Sequence, residues 1–471
     1  MTSSADQKLS LAALIALVVG SMVGSGIFAL PAAFGRATGV LGALIAWSIA
    51  GAGMLMLAFV FQTLAQRKPN LDAGIYAYAK EGFGNYLGFL SAAGYWIGCC
   101  LADVACLVLI KATLGQFFPI FGDGTTPFAI VAASVLLWGV HFLILRGIKQ
   151  AATLNTIATV AKIVPILLFV AVAIAGFDSG MFALNFWGDD SLPDQVRNSM
   201  LVTVFLFVGI EGASVYSRYA KNRKDVGKAT VLGFLSVLSL LVLVTMLSYG
   251  VMPRTDLAGQ PTPSMAGVLE ALVGPWGRVF ISVGLIVSVL GNYLSWSLLA
   301  AEVVHSAAQH GTMPSFLARE NRRQVPVAAL WLTNGVIQVF LILTWFAEYA
   351  FTLALKMTSS MTLLPYLLVA AYGLKLAWTG ETYAVGDRRR GIDWTRGAIA
   401  ALYAAGMLYA GGAKFLLLSA LLYAPGTILF VLARREQGAT VFARLEWALL
   451  AIVVSAAALG LYGLAVGAIS I

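Results

Sequence analysis

The sequence has few charged residues. Asp, Glu, Lys and Arg make up 11% of its 471 residues, whereas a soluble domain has about 25%. Hydrophobic residues make up 60%, and runs such as 231–251 are apolar throughout. Because a surface that faces water on all sides cannot be built from this composition, the chain is predicted to be an all-α protein that crosses a membrane many times.

The sequence also lacks the motifs of metal, nucleotide and hydrolytic chemistry. Its three histidines have no metal-ligand spacing, no HExxH or GxSxG pattern occurs within a span, and no GxxxxGK[ST] loop is present. We therefore expect no metal, no cofactor and no enzymatic activity. The three cysteines lie in one apolar segment without CxxC spacing and are expected to be reduced packing residues: Cys99, Cys100 and Cys106.

Apolar runs long enough to cross a bilayer, at roughly 20 residues each, recur along the whole chain. Thirteen spans are predicted: 11–33, 40–65, 84–115, 127–145, 152–176, 199–217, 229–251, 277–306, 326–346, 350–375, 397–411, 414–433 and 446–469. With a cytoplasmic N-terminus, 22 of the 30 Lys and Arg residues fall in cytoplasmic loops and 5 in external loops. This bias predicts that orientation in the inner (cytoplasmic) membrane. Because most of the basic residues lie in cytoplasmic loops, the net charge of +9 is expected to reflect contacts with lipid headgroups rather than with nucleic acid.

Small residues interrupt two of the predicted spans. The first span contains GSMVGSGIFALP (20–31) and the sixth contains FLFVGIEGAS (205–214). Glycine costs roughly 1 kcal/mol inside a helix, and interruptions at corresponding positions of two halves indicate a transporter with its site at mid-membrane. Close helix packing through small residues would produce the same glycines in the first span, and the residues alone do not decide between the two.

An unwound segment in each span would offer two kinds of free backbone group. N–H groups at the start of a half-helix bind a carboxylate, and C=O groups at the end of the preceding half bind an ammonium. An α-amino acid carries both groups. We expect Ser25 and Gly26 to bind the carboxylate, and carbonyls near Met22, Phe205 and Val208 to bind the α-amine.

Ionisable side chains within the predicted spans are a further indication of function. Such groups cost several kcal/mol in hydrocarbon unless they are paired or hydrated. Lys111 and Lys356 lie near span ends and are expected to extend to the membrane surface. Asp103, Lys162 and Glu211 lie deeper.

At these residues the sequence resembles the amino acid/polyamine/organocation (APC) superfamily. Within it, the sequence resembles the basic amino acid/polyamine antiporters, and most closely the bacterial arginine/ornithine antiporters. The matching stretches extend over almost the whole chain: GSMVGSGIFALP (20–31), RKPNLDAGIYAYAKEGFG (67–84), FFPIFGDGTTP (117–127), VGIEGAS (208–214), LSWSLLAAE (294–302), GTMPSFLARENRRQVPVAA (311–329) and SSMTLLPYLLVAAYGLKL (359–376).

The resemblance implies a single domain over 1–471 with a LeuT-like 5+5 inverted repeat. Its halves are 11–176 and 199–375, helices 1 and 6 are broken, and three further helices occupy 397–469. The implied function is exchange of an arginine-like cationic amino acid for an ornithine-like product, with a homodimer left open. Alternatives are exchange of lysine or histidine against its decarboxylation product, or proton-coupled uptake. A channel or a membrane enzyme would need filter or catalytic motifs that do not appear.

The resemblance also implies roles for individual residues. Phe205 matches an aromatic gate, Trp296 an aromatic wall and Tyr95 an aromatic residue near the outer gate, while Lys162 resembles the fifth-span lysine of sodium-independent relatives. Glu211 is expected to cap backbone N–H groups more than to contact substrate. The implied substrate-binding residues are Met22, Ser25, Gly26, Ile27, Cys99, Asp103, Cys106, Phe205, Val208, Gly209, Trp296, Thr358 and Tyr366, and the implied gating or coupling residues are Tyr95, Lys162 and Glu211.

The third span departs from the pattern of these antiporters. Asp103 stands where they commonly have Asn, and Cys100 and Cys106 stand where they have bulky residues. A carboxylate facing the cavity would attract any cationic side chain, Lys as well as Arg. The departure therefore leaves selectivity for arginine open.

Overall fold

The computed structural model describes residues 10–71, 75–146, 151–211, 223–347 and 349–469, and within these ranges the chain is helical. The α-helices are α1 (Leu11–Met22), α2 (Leu30–Ala37), α3 (Val40–Arg67), α4 (Ile75–Phe83), α5 (Asn85–Gly115), α6 (Pro127–Leu145), α7 (Ala151–Ala175), α8 (Ser179–Leu184), α9 (Leu192–Phe207), α10 (Arg223–Tyr249), α11 (Arg254–Gly259), α12 (Ser264–Val273), α13 (Pro275–Gln309), α14 (Val327–Leu343), α15 (Ala350–Thr379), α16 (Arg389–Glu436) and α17 (Arg444–Ala465). A 3-10 helix occupies Ser25–Ala29. In the same ranges the only β-pairing is an isolated bridge between Glu320 and Pro326.

The predicted membrane-spanning, all-helical architecture is confirmed. Among the described residues, nine helices are long and apolar enough to cross a membrane, or ten if the bent pair Leu14–Met22 and Ser25–Ala37 forms one span. Helix α16 contains Gly412 at φ 77° and ψ 168°, between two of the predicted spans. Because a positive φ is readily adopted by glycine, the helix can interrupt here. The count of thirteen spans stays a prediction, and residues 1–9, which bear the predicted cytoplasmic N-terminus, lie outside the described ranges.

The first span is broken where the sequence predicts. Helix α1 ends at Met22, Gly24 is extended, and a 3-10 helix then leads into α2, which has Pro31 in its first turn. The two helical parts meet at an angle of 44°. Proline is favourable at the start of a helix because its missing N–H would have no partner there. The break therefore separates two helical parts of the predicted first span.

The sixth span also leaves the helix at its predicted interruption. Helix α9 ends at Phe207, Val208 is extended, and Gly209 has φ +107°. A Cβ on Gly209 would lie 2.8 Å from the carbonyl oxygen of Ser21, so glycine is required both for the backbone angle and for the close approach. The continuation of this span, 212–217, lies outside the described residues.

Helices α5, α13 and α15 form the centre of the protein. Helix α5 is buried along most of its length and packs against both α13 and α15, and α13 also packs against α7. The 3-10 helix of the first span contacts α5, α9 and α13. This packing brings side chains from α5, α9 and α13 to the break in the first span.

Candidate functional site

The two interrupted segments lie directly against each other. The Ser21 hydroxyl donates a hydrogen bond of 3.0 Å to the carbonyl of Gly209. A Cβ on Gly26 would lie 2.6 Å from Leu206 Cδ2 and 2.9 Å from Phe205 Cε1. The side chains at the end of α9 therefore close over the 3-10 helix, and only a residue without a side chain fits at position 26.

A small cavity of about 20 Å³ lies between these segments. This volume holds about one water molecule, so the cavity must widen before an amino acid can enter. Seven predicted binding residues line it: Met22, Ser25, Gly26, Cys106, Phe205, Val208 and Trp296. Five lining residues were not predicted: Ser21, Gly24, Ala102, Leu206 and Asn292.

The 3-10 helix that begins after Gly24 presents N–H groups beside this cavity. The first N–H groups of any helix have no partner within it. Ser25 and Gly26 supply these groups, both are buried, and both line the cavity. The positive end of the helix dipole is located here as well, so an anionic group is favoured.

The other predicted binding residues lie outside the cavity lining: Ile27, Cys99, Asp103, Gly209, Thr358 and Tyr366. Ile27 is fully buried in the hydrophobic core, and Cys99 is buried on α5. The hydroxyl of Thr358 donates to the carbonyl of Ala354 in its own helix at 2.8 Å. These side chains can reach a substrate only if the cavity widens.

Asp103 lies behind the cavity wall. One carboxylate oxygen, Oδ2, accepts a hydrogen bond of 2.7 Å from the Ser297 hydroxyl. The other, Oδ1, is buried with no hydrogen-bond partner among the described residues. Ala102 and Cys106, its neighbours on α5, do line the cavity. Asp103 is therefore next to the site, with one acceptor available.

The carboxylate of Glu211 joins the sixth span to the third and tenth. Tyr95 donates its hydroxyl hydrogen to Oε1, and Tyr366 donates to Oε2 at 2.8 Å. Backbone N–H groups of Gly209 and of Glu211 itself also lie close enough to interact with this carboxylate, and its capping role stays a prediction. The two tyrosine partners were not predicted, and they connect residues that sequence analysis had assigned separately to the gate and the binding site.

Lys162 lies between the first and eighth spans. It is 1% exposed, and its ammonium donates to the carbonyl of Gly20 at 2.8 Å and to Oδ1 of Asn292 at 2.5 Å. The only signal for Asn292 in the sequence is an amide side chain one helical turn before Trp296, in a span whose other polar residues nearby are serines.

Lys111 does not extend to the surface as expected. Its side chain is 2% exposed, and its ammonium donates to the hydroxyl of Thr344 at 3.2 Å. The side chain stays buried because α5 is enclosed by other helices as far as its last turn. Lys356 is half-buried, with its ammonium 5.9 Å from the centre of the Phe415 ring, a cation–π distance.

Known proteins of similar sequence are amino acid transporters. The sequence model of the amino acid permease family matches residues 9–431. The chain is 54% identical to the arginine/ornithine antiporter of Pseudomonas aeruginosa over 98% of each protein. It is 42% identical to the L-lysine transport protein of Corynebacterium glutamicum, over 100% of this chain and 97% of that protein. It is 37% identical to the arginine/agmatine antiporter of Chlamydia pneumoniae over 95% of each. The chain therefore belongs to the amino acid permease family of the APC superfamily.

Proposed function

We propose that this protein exchanges an arginine-like cationic amino acid for a related amino acid or amine, such as ornithine, across the inner membrane. The observation that carries the proposal is the pair of facing breaks, with the first N–H groups of the 3-10 helix, those of Ser25 and Gly26, beside a small cavity. The names of the relatives in Pseudomonas and Chlamydia, both antiporters of arginine, support the same substrate class.

In this proposal the substrate lies across the two breaks. Its carboxylate binds the N–H groups of Ser25 and Gly26, and its α-amine binds carbonyls at Met22, Phe205 and Val208. Phe205 moves as the gate, and Trp296 forms the wall along which the side chain of the substrate lies. When the cavity widens, its wall extends to the remaining proposed contacts, which are Ile27, Cys99, Gly209, Thr358 and Tyr366.

Asp103 is the proposed partner of the cationic end of the substrate. Its Oδ1 has no partner among the described residues, and it lies one helical turn from Cys106, which lines the cavity. A buried carboxylate with an unused acceptor is stabilised by an incoming cation. Because any ammonium or guanidinium fulfils this role, lysine is the second candidate substrate, and the lysine transport protein among the relatives favours it as well.

Buried hydrogen bonds between spans are the proposed means by which the two sides of the membrane are coupled. We propose that Lys162 holds the first span against the eighth in place of a sodium ion, and that Glu211, with Tyr95, joins the sixth span to the third. The 5+5 repeat of 11–176 and 199–375, the helices in 397–469, the cytoplasmic N-terminus and a homodimer belong to the same proposal. Alternating access would move the repeats around a fixed site.

A substrate panel tests this function. Purified protein is placed in liposomes that are empty or preloaded with arginine, ornithine, lysine, agmatine or leucine, and the uptake of labelled arginine and of labelled lysine is measured in separate assays. We expect rapid uptake with cationic preloads and background uptake with leucine. Lysine uptake that exceeds arginine uptake would favour the second candidate, and equal uptake with leucine or with empty liposomes would contradict exchange of cationic amino acids.

A further inference from the structure

Asn292 is a buried amide whose two ends have different surroundings. Its oxygen accepts the hydrogen bond from Lys162, whereas its nitrogen, Nδ2, has no hydrogen-bond partner among the described residues. Asn292 is 3% exposed and lines the cavity. A buried donor without a partner carries a desolvation cost, so an acceptor that enters this cavity would remove the cost.

The orientation of this amide follows from the chemistry of Lys162. An ammonium has three donors and no acceptor, so only the amide oxygen of Asn292 can face it. Nδ2 must then point away from Lys162. In this orientation Nδ2 lies 3.0 Å from the position that a Cβ on Gly24 would occupy. The donor is therefore next to the residue at which the 3-10 helix begins.

Lys162 and Asn292 together connect the two sides of the first-span break. The ammonium bonds to Gly20, in the half-helix before the break, and the amide of Asn292 lies against Gly24, within it. A hydrogen bond from a cation to the amide oxygen polarises the amide and makes its N–H groups stronger donors. Nδ2 thus adds a directed donor beside the backbone N–H groups of Ser25 and Gly26.

We propose that Asn292 is a substrate-positioning residue whose Nδ2 donates a hydrogen bond to the substrate carboxylate. The proposal rests on the proposed function, because it takes the first-span break as the carboxylate site. It gives Lys162 a second effect: the ammonium orients the amide that binds the carboxylate, without contacting the substrate. Asn292 therefore determines selectivity for ligands that carry a free carboxylate.

The test is Asn292→Asp, which keeps the shape, retains an oxygen for Lys162 and replaces the NH₂ donor with a carboxylate oxygen. Binding is measured for L-arginine and for L-argininamide, which has the same side chain and α-amine but no carboxylate. We expect the affinity for L-arginine to fall at least about tenfold and the affinity for L-argininamide to change less than about threefold. Asn292→Ser, whose side chain is too short to replace the amide, should show the same pattern. It is the variant to measure if the Asp variant does not fold.

Asn334→Asp is the matched control. Asn334 is a buried asparagine on α14 that bonds to His141, away from the cavity, and its replacement should leave both affinities unchanged. Equal losses for the two ligands in the Asn292 variants, or an unchanged affinity for L-arginine, would overturn the positioning role. If the native protein binds neither arginine nor lysine, the proposed function itself fails, which distinguishes the two failures.

Discussion

Replacing Lys162 with alanine removes a side chain that bonds to both the first and the eighth span. The carbonyl of Gly20 and the amide oxygen of Asn292 lose the donor that now lies 2.8 Å and 2.5 Å away. Asn292 is 3% exposed, Gly20 is half-buried, and the lysine that serves them is 1% exposed. The variant should therefore alter the balance between conformations that bring these spans together and those that separate them.

The size of the effect follows from the two acceptors. A buried polar group left without a partner costs about 1–3 kcal/mol, so the arrangement that joins the two spans loses about 2–6 kcal/mol. Water that enters the space left by the side chain replaces part of the loss, so we expect the lower end of this range. A change of about 2 kcal/mol shifts a population roughly 30-fold.

The assay is exchange of labelled arginine per folded protein, in liposomes with and without sodium. We expect native exchange to be independent of sodium, and Lys162→Ala to be at least about tenfold slower while it still binds substrate. Lys111→Ala is the matched control, since Lys111 is also a buried lysine but bonds to Thr344 away from the cavity. Native exchange that requires sodium, or an unchanged rate in Lys162→Ala, would refute the reasoning.

Three further substitutions test the site. Asp103→Asn should weaken binding of cationic amino acids by about 1.5–3 kcal/mol if a charge-assisted hydrogen bond is lost; calorimetry that shows equal losses for neutral ligands would make Asp103 structural. Gly26→Leu should abolish uptake, because even a Cβ would lie 2.6 Å from Leu206, whereas Gly139→Leu, with no atom within 4 Å of the added Cβ, should transport normally. Glu211→Gln keeps the shape but weakens two tyrosine hydrogen bonds; exchange should slow several-fold, and native kinetics would contradict a coupling role.

The features of the site that sequence analysis predicted are those with a local cause. The glycines of 20–26 predict the first-span break because each weakens a helix, and the structure has its break at Gly24. Lys162 is predicted to be functional because it carries a charge within an apolar run. In both cases the local sequence is enough to predict the feature. The energetic cost of a glycine in a helix, or of a charge in hydrocarbon, depends on that residue itself.

The features that it missed depend on residues far apart in the chain. Asn292 is one of several polar residues in its helix, and its bond to Lys162 joins positions 130 residues apart. The tyrosine partners of Glu211 are 116 and 155 residues away from it. The position of Asp103 behind Ala102 and Cys106 depends on the rotation of α5 within the bundle. No periodicity in one segment determines such contacts, because they arise from the packing of several helices.

The central claim is that a cationic amino acid bound between the two breaks is exchanged for another. The most direct measurement is the stoichiometry of exchange in liposomes loaded with ¹⁴C-ornithine and exposed to ³H-arginine. If the transporter changes sides only with a substrate bound in the cavity, as we propose, one ornithine should leave for each arginine that enters, and no ornithine should leave without external substrate. Efflux of ornithine into substrate-free buffer at the same rate, or arginine uptake into empty liposomes, would contradict the account.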